Sequence, residues 1–182
     1  MFKQITTQRL FQAAAVTLVV AASFSSSAHS DDHLDFYAGA GLGRAASTTH
    51  GYQAPKAMDI YGGYAGYWFG AEIGFSDMDR FKVSAAKESY MDVKIWRASL
   101  RAHYTFNPVI FVEGELGLAR WDARAVLIRQ QIGRDHDLKP MWGAEAGLRL
   151  TEHVSVGLRW QHYADVAGTN INVELVNFKY WF

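Results

Sequence analysis

Cysteine is absent from the chain, and this absence limits how the fold can be held together. Without cysteine there are no disulfides and no thiolates that could bind a metal ion. The fold must therefore be stabilised by packing and by backbone hydrogen bonds. The run RDHD, Arg134 to Asp137, offers oxygen and nitrogen ligands, but adjacent residues in a loop rarely converge on one ion. We predict no cofactor and no metal site.

An excess of charge and a long apolar run are also missing. The 18 basic residues balance the 18 acidic ones, so the sequence offers no basic surface for nucleic acid. After residue 28, no stretch approaches the roughly 18 consecutive apolar residues that a membrane-spanning helix needs. The sequence thus predicts neither a nucleic-acid partner nor a helical membrane span.

The first 28 residues are predicted to be a cleaved signal peptide. Basic residues precede a short apolar run from Leu10 to Ala22, and small residues follow, including Ser26 and Ala28 before a cut after Ala28. The alternative is a retained anchoring helix. That alternative is weaker because the run is short and ends in serines instead of a basic flank. We expect the mature chain, residues 29–182, to form one β-barrel domain.

The rest of the chain alternates with period 2 in eight blocks of about ten residues, a pattern typical of transmembrane strands. The blocks cover residues 34–44, 58–65, 68–76, 94–106, 110–121, 141–150, 154–163 and 173–182. Connections near 66, 107 and 152 are short, whereas those at 45–57, 77–92, 122–140 and 164–172 are long. Outer-membrane barrels have short periplasmic turns and long external loops. The pattern predicts an all-β fold, an eight-stranded antiparallel up-and-down transmembrane barrel.

Aromatic residues, 14% of the chain, collect near the predicted strand ends on the apolar face. This clustering favours two girdles at the membrane interfaces over the alternative of a water-soluble β-sandwich, whose aromatic side chains would lie mid-strand. The residues assigned to one rim are Phe69, Tyr104, Phe106, Tyr180 and Phe182, and those assigned to the other are Trp96, Trp121, Trp142 and Trp160.

The opposite face collects charged residues of both signs among glycine and serine. Such groups must pair inside an eight-stranded barrel, which has room only for side chains, so we predict a polar plug and not an open pore. The predicted interior cluster comprises Glu72, Arg97, Arg101, Glu113, Glu115, Glu145, Arg149, Arg159 and Lys179. Arg120 falls on the apolar face, which requires either a β-bulge or a side chain that extends to the lipid headgroups.

The runs FYAGAGLGR, YGGY followed by GAEIGF, LRAHY, LTEHVSVGLRW and the terminal KYWF resemble the transmembrane domain of the OmpA-type family of small outer-membrane barrels. The resemblance implies an interior salt-bridge cluster that includes Glu72 and Arg101, and an assembly signal formed by Phe178, Tyr180 and Phe182. The periplasmic peptidoglycan-binding domain of larger members is not expected. The resemblance implies a location in the bacterial outer membrane. There we expect contact with outer-membrane lipids and lipopolysaccharide, and during biogenesis with periplasmic chaperones and the barrel-assembly machinery.

A weaker resemblance concerns outer-membrane lipid A deacylases, small barrels with a lipid-facing histidine, a nearby serine and a glutamate near the rim. In QHYAD, Gln161 to Asp165, His162 matches the histidine and Glu174 could supply the carboxylate. However, Ala164 stands at the serine position, so the nucleophile is missing. We therefore expect no enzymatic activity and a structural or surface-interaction role. A lipid A-modifying enzyme and a narrow channel are the alternatives.

Overall fold

The computed structural model describes residues 35–48, 54–82, 90–127 and 130–182, which form one closed antiparallel barrel. Each strand pairs with the next along the chain, and the first pairs with the last, so the predicted eight-stranded up-and-down barrel is confirmed. The proposed signal peptide lies outside the described residues. The strands are β1 (Asp35–Ser47), β2 (Lys56–Ala65), β3 (Phe69–Lys82), β4 (Tyr90–Thr105), β5 (Ile110–Leu127), β6 (Gln130–Arg149), β7 (Val154–Val166) and β8 (Thr169–Trp181).

No helix in the described part of the chain is long and apolar enough to cross a membrane.

Alternation of side chains gives the barrel two faces of opposite character. In β7, Ser155, Arg159 and Gln161 are buried inside, whereas Leu158 and Trp160 are exposed outside. At the barrel end that has the short turns and Phe182, which we call the short-turn end, large aromatic side chains ring the outer surface. At the opposite end, called the far end, a second set is exposed. The short-turn set includes Phe69, Tyr104, Phe106, Tyr180 and Phe182, and the far set includes Trp96, Trp142 and Trp160.

The expectation of four long loops at the far end is wrong for most of the residues concerned. Strand β3 continues to Lys82, β5 extends to Leu127, and β7 and β8 are joined by a tight turn in which Ala167 and Gly168 have φ of 50° and 80°. The predicted strands stopped where the outer face ceased to be apolar. Hydrogen bonding between the strands continues beyond that point, with a register shift between Met78 and Phe81 of β3, and the buried residues of β4 and β5 keep a spacing of two as far as Met91 and Ala123.

The interior at the far end is apolar and not polar as predicted. Its buried side chains pack as one cluster, here called the apolar plug. Trp121, predicted for the outer girdle, belongs to this plug, since it is only 2% exposed and has the same parity as the inward Glu113 and Glu115. The plug consists of Ala45, Ala57, Met78, Phe81, Met91, Val93, Ile95, Ala119, Trp121, Ala123, Met141, Tyr163, Val166, Ile171, Val173 and Leu175.

Arg120 lies outside the barrel without a bulge. Its register is continuous, with Trp96 of β4 on one side and Leu138 of β6 on the other. The nearest irregularity on β5 falls between Ala125 and Val126. Because Arg120 is exposed beside a girdle tryptophan, its long side chain can reach the headgroup region while its stem stays against the apolar band.

Replacing Trp121 by alanine should destabilise the barrel strongly, because it opens a cavity in the apolar plug. We expect a loss of about 3–5 kcal/mol in the free energy of unfolding, measured by urea titration of protein refolded in lipid vesicles. Trp96→Ala removes an exposed girdle side chain and should cost clearly less. Equal losses for the two variants would contradict the inward position of Trp121.

Candidate functional site

The most concentrated chemistry of the described residues is a set of charged side chains inside the barrel, between the apolar plug and the short-turn end. They come from strands β2 to β8, each from an inward position of its strand, and all are buried. We call this set the buried ionic cluster. Its members are Asp59, Glu72, Arg97, Arg101, Glu113, Glu145, Arg159 and Lys179.

Glu72 is the centre of the cluster. Its Oε1 accepts hydrogen bonds from Arg97 Nη2 at 2.8 Å and from Arg159 Nη1 at 2.9 Å. Its Oε2 accepts from Arg101 Nη1 and from the Tyr37 hydroxyl, the latter at 3.0 Å. One carboxylate thus joins three guanidinium groups that arrive from two strands, β4 and β7.

A second carboxylate, on the β2 side, binds both terminal nitrogens of Arg97. Asp59 accepts from Nη1 at 2.5 Å and from Nη2 at 2.8 Å, in the forked geometry that suits an arginine–carboxylate pair. The Ser76 hydroxyl donates to the same carboxylate at 2.8 Å. This arrangement fixes the Arg97 side chain just below the apolar plug.

The other side of the cluster contains two further carboxylates. Arg101 Nη2 binds both Glu113 and Glu145, the latter at 2.8 Å. Arg159 Nε also donates to Glu145 at 2.8 Å, and Lys179 Nζ donates to Glu113 at 2.9 Å. The cluster is therefore one connected network and not a set of separate pairs.

The network balances its charge and fills the lumen. Four carboxylates face four cations, and every member forms at least one ion pair with another member. The ring of Tyr61 covers the network, with the Arg159 guanidinium 4.1 Å from its centroid. Removing one partner from such a network leaves the others as uncompensated buried charges, which is strongly unfavourable.

Two residues predicted for the cluster lie elsewhere. Glu115 is buried but bonds to the amide of Gln161, with Nε2 2.8 Å from Oε1. Arg149 is half-buried at the short-turn end, where its guanidinium lies 5.1 Å from the centroid of the Trp181 ring. Both have inward parity, so the prediction of their face agrees with the structure, whereas their partners could not be read from the sequence.

Asp59 is the one charged member that sequence reasoning missed. It lies between Met58 and Ile60 in a short block rich in glycine and tyrosine. Its parity matches that of Tyr61, which also points inward. Strict alternation in β2 is the signal in the sequence that points Asp59 inwards.

A second group of side chains lies outside, at the far girdle. His162 Nδ1 is 2.6 Å from Asn172 Oδ1, and the imidazole stacks on Trp142 with ring centroids 4.2 Å apart. Glu174 lies opposite Trp160 in the register of β7 and β8, not opposite His162. The position that could hold a carboxylate against the histidine is thus taken by the amide of Asn172, and Ala164 supplies no hydroxyl.

In the RDHD run near the far end, the side chains of Arg134 and Asp135 lie outside the described part of the structure, whereas Asp137 is described. Asp137 pairs with Lys139 at 3.1 Å, and Lys139 also reaches Asp165 of β7 at 2.8 Å. Within the described ranges, no group of three or more histidine, aspartate or glutamate side chains is arranged to hold a metal ion.

Residues 14–182 match the family model described as "Outer membrane protein beta-barrel domain". No curated protein sequence is similar enough to the chain to count as a match.

Solved structures with the same fold include barrels of different roles. The N-terminal β-barrel domain of OprF from Pseudomonas aeruginosa has a TM-score of 0.61 and 11% identity, covering 83% of this chain and 98% of that one. Ail, the attachment invasion locus protein of Yersinia pestis, gives 0.59 and 13%, covering 84% and 100%. The outer membrane enzyme PagL gives 0.51 and 16%, covering 79% and 97%. At these identities the similarity establishes the fold alone.

Replacing Arg101 by methionine should destabilise the barrel because it leaves carboxylates of the cluster without their counter-charge. We expect a loss of about 3–5 kcal/mol in the free energy of unfolding in vesicles, or the onset of ion conductance. The matched control is Lys94→Met, which removes an exposed pair with Asp77 at 3.9 Å and should cost less than about 1 kcal/mol. Unchanged unfolding together with unchanged conductance in Arg101→Met would show that the cluster neither stabilises nor seals the barrel.

Proposed function

The chain belongs to the outer membrane protein β-barrel family and is located in the bacterial outer membrane. We propose that it is a non-catalytic surface protein, which presents part of its sheet to binding partners. The short turns of such barrels face the periplasm, so the far end faces outwards. The observation that supports the proposal most directly is the shape of the sheet at that end.

The sheet is taller on one side of the barrel than on the other. Strand β6 pairs with β5 from Gln130 onwards, but its pairing with β7 begins only at Met141. On the other side, β3 pairs with β2 only up to Met78 and with β4 as far as Lys82. The ends of β3, β4, β5 and β6 thus form a projecting sheet, here called the external sheet.

In the register of the described residues, β7 pairs with none of the residues from Gln130 to Pro140, so the backbone of this stretch of β6 forms an edge of the external sheet. Along an edge strand, alternate backbone N–H and C=O groups point away from the sheet, and an extended peptide can pair with them. The edge begins above the girdle, where a partner from outside the cell would meet it. Main-chain pairing combined with side-chain contacts is a known way to bind extended segments.

The outer face of the external sheet suits contact with water and with polar partners. Arg80 pairs with Asp92 at 3.6 Å, and Lys94 with Asp77 at 3.9 Å. These pairs are largely exposed and contribute little to stability. A charged face over a rigid apolar plug presents a firm surface, which lowers the entropic cost of binding.

The two other functions considered have less support. A channel needs a continuous aqueous path, whereas the described interior is packed with the buried ionic cluster and then with the apolar plug. A deacylase needs a nucleophile next to its histidine, and Ala164 provides none. One relative, Ail, is named for attachment and invasion, and another, PagL, is an enzyme, but both share only the fold with this chain.

The partners of biogenesis and of the membrane belong to the same proposal. Phe178, Tyr180 and Phe182 are exposed at successive outward positions at the end of the chain, which suits their recognition by the barrel-assembly machinery after transfer by periplasmic chaperones. Arg120, next to Trp96, suits contact with the phosphates of lipopolysaccharide in the outer leaflet.

Shortening the external sheet should abolish binding without affecting the barrel. Ala123 pairs with Asp135, so deleting residues 124–134 and joining the strands there through an Asn-Gly turn preserves the register of β5 and β6 and keeps Ala123 in the apolar plug. Cells that carry this variant should attach less to one another and to protein-coated surfaces than cells with the wild type. The gel shift between heated and unheated samples checks that the barrel still forms.

A matched control changes the opposite hairpin. Replacing Ala167 by asparagine keeps the tight turn between β7 and β8, where Ala167 already has a positive φ, and should leave attachment unchanged. If the shortened variant assembles normally and its cells attach as strongly as wild-type cells, the external sheet is not the binding surface.

The protein should leave lipid A intact. Mass spectrometry of lipid A from cells with and without the protein is expected to give the same acyl pattern. Ala164→Ser alone should add no activity, because His162 is bonded to Asn172 and not to a carboxylate. The combined variant Ala164→Ser with Asn172→Glu supplies both missing groups and serves as the comparison. Loss of an acyl chain that depends on the wild-type protein would overturn the non-catalytic assignment.

A further inference from the structure

A depression of about 290 Å³ interrupts the outer surface of the barrel between strands β3, β4 and β5, close to the short-turn end. Its walls are apolar or aromatic apart from His103, which has the parity of the inward Arg101. The other lining residues are Trp68, Phe69, Ala102, Tyr104, Val112 and Gly114.

The depression exists because small residues meet across two strands. Ala102 of β4 is paired with Gly114 of β5, and both are exposed on the outer face. A Cβ added to Gly114 would meet no atom within 4 Å, so the missing side chain leaves real space outside the barrel wall. Larger side chains border this space. Phe69 of β3 is paired with Ala102, and Val112 lies two residues before Gly114 on β5.

Aromatic rings form the rim of the depression towards the periplasm. The rings of Trp68 and Tyr104 are nearly parallel, with centroids 6.1 Å apart and planes 13° apart. Tyr67 packs edge-on against Trp68, and Phe106 packs edge-on against Tyr104. About half of the Trp68 and Tyr104 surfaces remains accessible, with relative exposures of 50% and 48%.

The surroundings decide what can fill this space. The depression opens towards hydrocarbon, its walls have no fixed charge, and it lies at the girdle of the periplasmic leaflet, which in an outer membrane consists of glycerophospholipids. We propose that it is a phospholipid site, in which an acyl chain lies against Ala102 and Gly114 and the ammonium headgroup lies against the exposed rings of Trp68 and Tyr104. An ammonium group is attracted to the faces of such rings.

The volume of the depression suits a segment of one acyl chain and not a whole lipid, since it lies at the lower limit of small-molecule pockets. The acyl chain contacts the protein on one side and neighbouring lipids on the other. This site depends on the position of the barrel in the membrane, but not on the proposed binding role of the external sheet, which lies at the opposite end.

The test compares variants that fill the depression with one that adds the same bulk elsewhere. Wild-type protein, Gly114→Leu and Ala102→Leu are refolded in vesicles of phosphatidylethanolamine and phosphatidylglycerol, extracted in mild detergent and analysed by native mass spectrometry. Ala40→Leu is the control, since Ala40 is exposed on the outer face of β1, away from the depression. The gel shift on heating checks that each variant folds.

We expect the wild type and Ala40→Leu to retain a bound phosphatidylethanolamine that both filling variants lose. The fluorescence of Trp68 is obtained as the difference in emission between the wild type and Trp68→Phe. Lipids that have bromine on the acyl chain near the headgroup should quench this fluorescence, and Gly114→Leu should reduce the quenching. Equal lipid retention by all four proteins would overturn the proposal. So would a wild-type dimer that Gly114→Leu disrupts, because a second copy of the chain would then occupy the depression.

Discussion

In hydrocarbon, a backbone N–H or C=O without a partner costs several kcal/mol, and this cost sets the rest of the structure. Pairing of β1 with β8 removes the last open edge within the membrane. Closure with eight strands leaves an interior only wide enough for side chains. Inward glycines then become necessary: a side chain at Gly39 would collide with the ring of Tyr61, and one at Gly74 with the guanidinium of Arg97. The large polar groups of the interior fit because these positions are empty.

The polarity of the wall reverses along the barrel axis. Where lipid lies outside, the outer face is apolar and the buried ionic cluster is inside. Beyond the far girdle the outer face has charges such as Arg80, Asp92 and Lys94, whereas the inside is the apolar plug. Each half places its apolar side chains according to its own surroundings: the lower half against lipid, the upper half in a core like that of a soluble β-barrel. The base of the external sheet packs on this second core through Phe81, Met91 and Ala123.

Period-two alternation was enough to predict the barrel, the number of strands and the face of most charged residues. An apolar outer face does not mark the strand ends, because it stops near Ser76 and Trp121 whereas hydrogen bonding continues to Lys82 and Leu127. For Trp121 two signals conflict, since the frequency of tryptophan in girdles points it outwards and its parity points it inwards, and the structure follows the parity. The partners of Glu72 cannot be predicted from the sequence, because they depend on how far each strand is shifted against its neighbours. That shift is set by the closure of the whole barrel. For the same reason Asn172, and not Glu174, lies opposite His162.

Closure between the first and the last strand also imposes an order in time. Every other pair in the barrel joins neighbours along the chain and can form locally, but β1 and β8 are separated by nearly the whole sequence. Contacts of such high sequence separation are slow to form, since a long loop must be closed before they contribute. Until then, two unpaired strand edges are present together, and the members of the ionic cluster on β2 and β3 have not met those on β7 and β8. The seam between β1 and β8 is therefore expected to close last, and its closure completes the backbone pairing and the ionic cluster together.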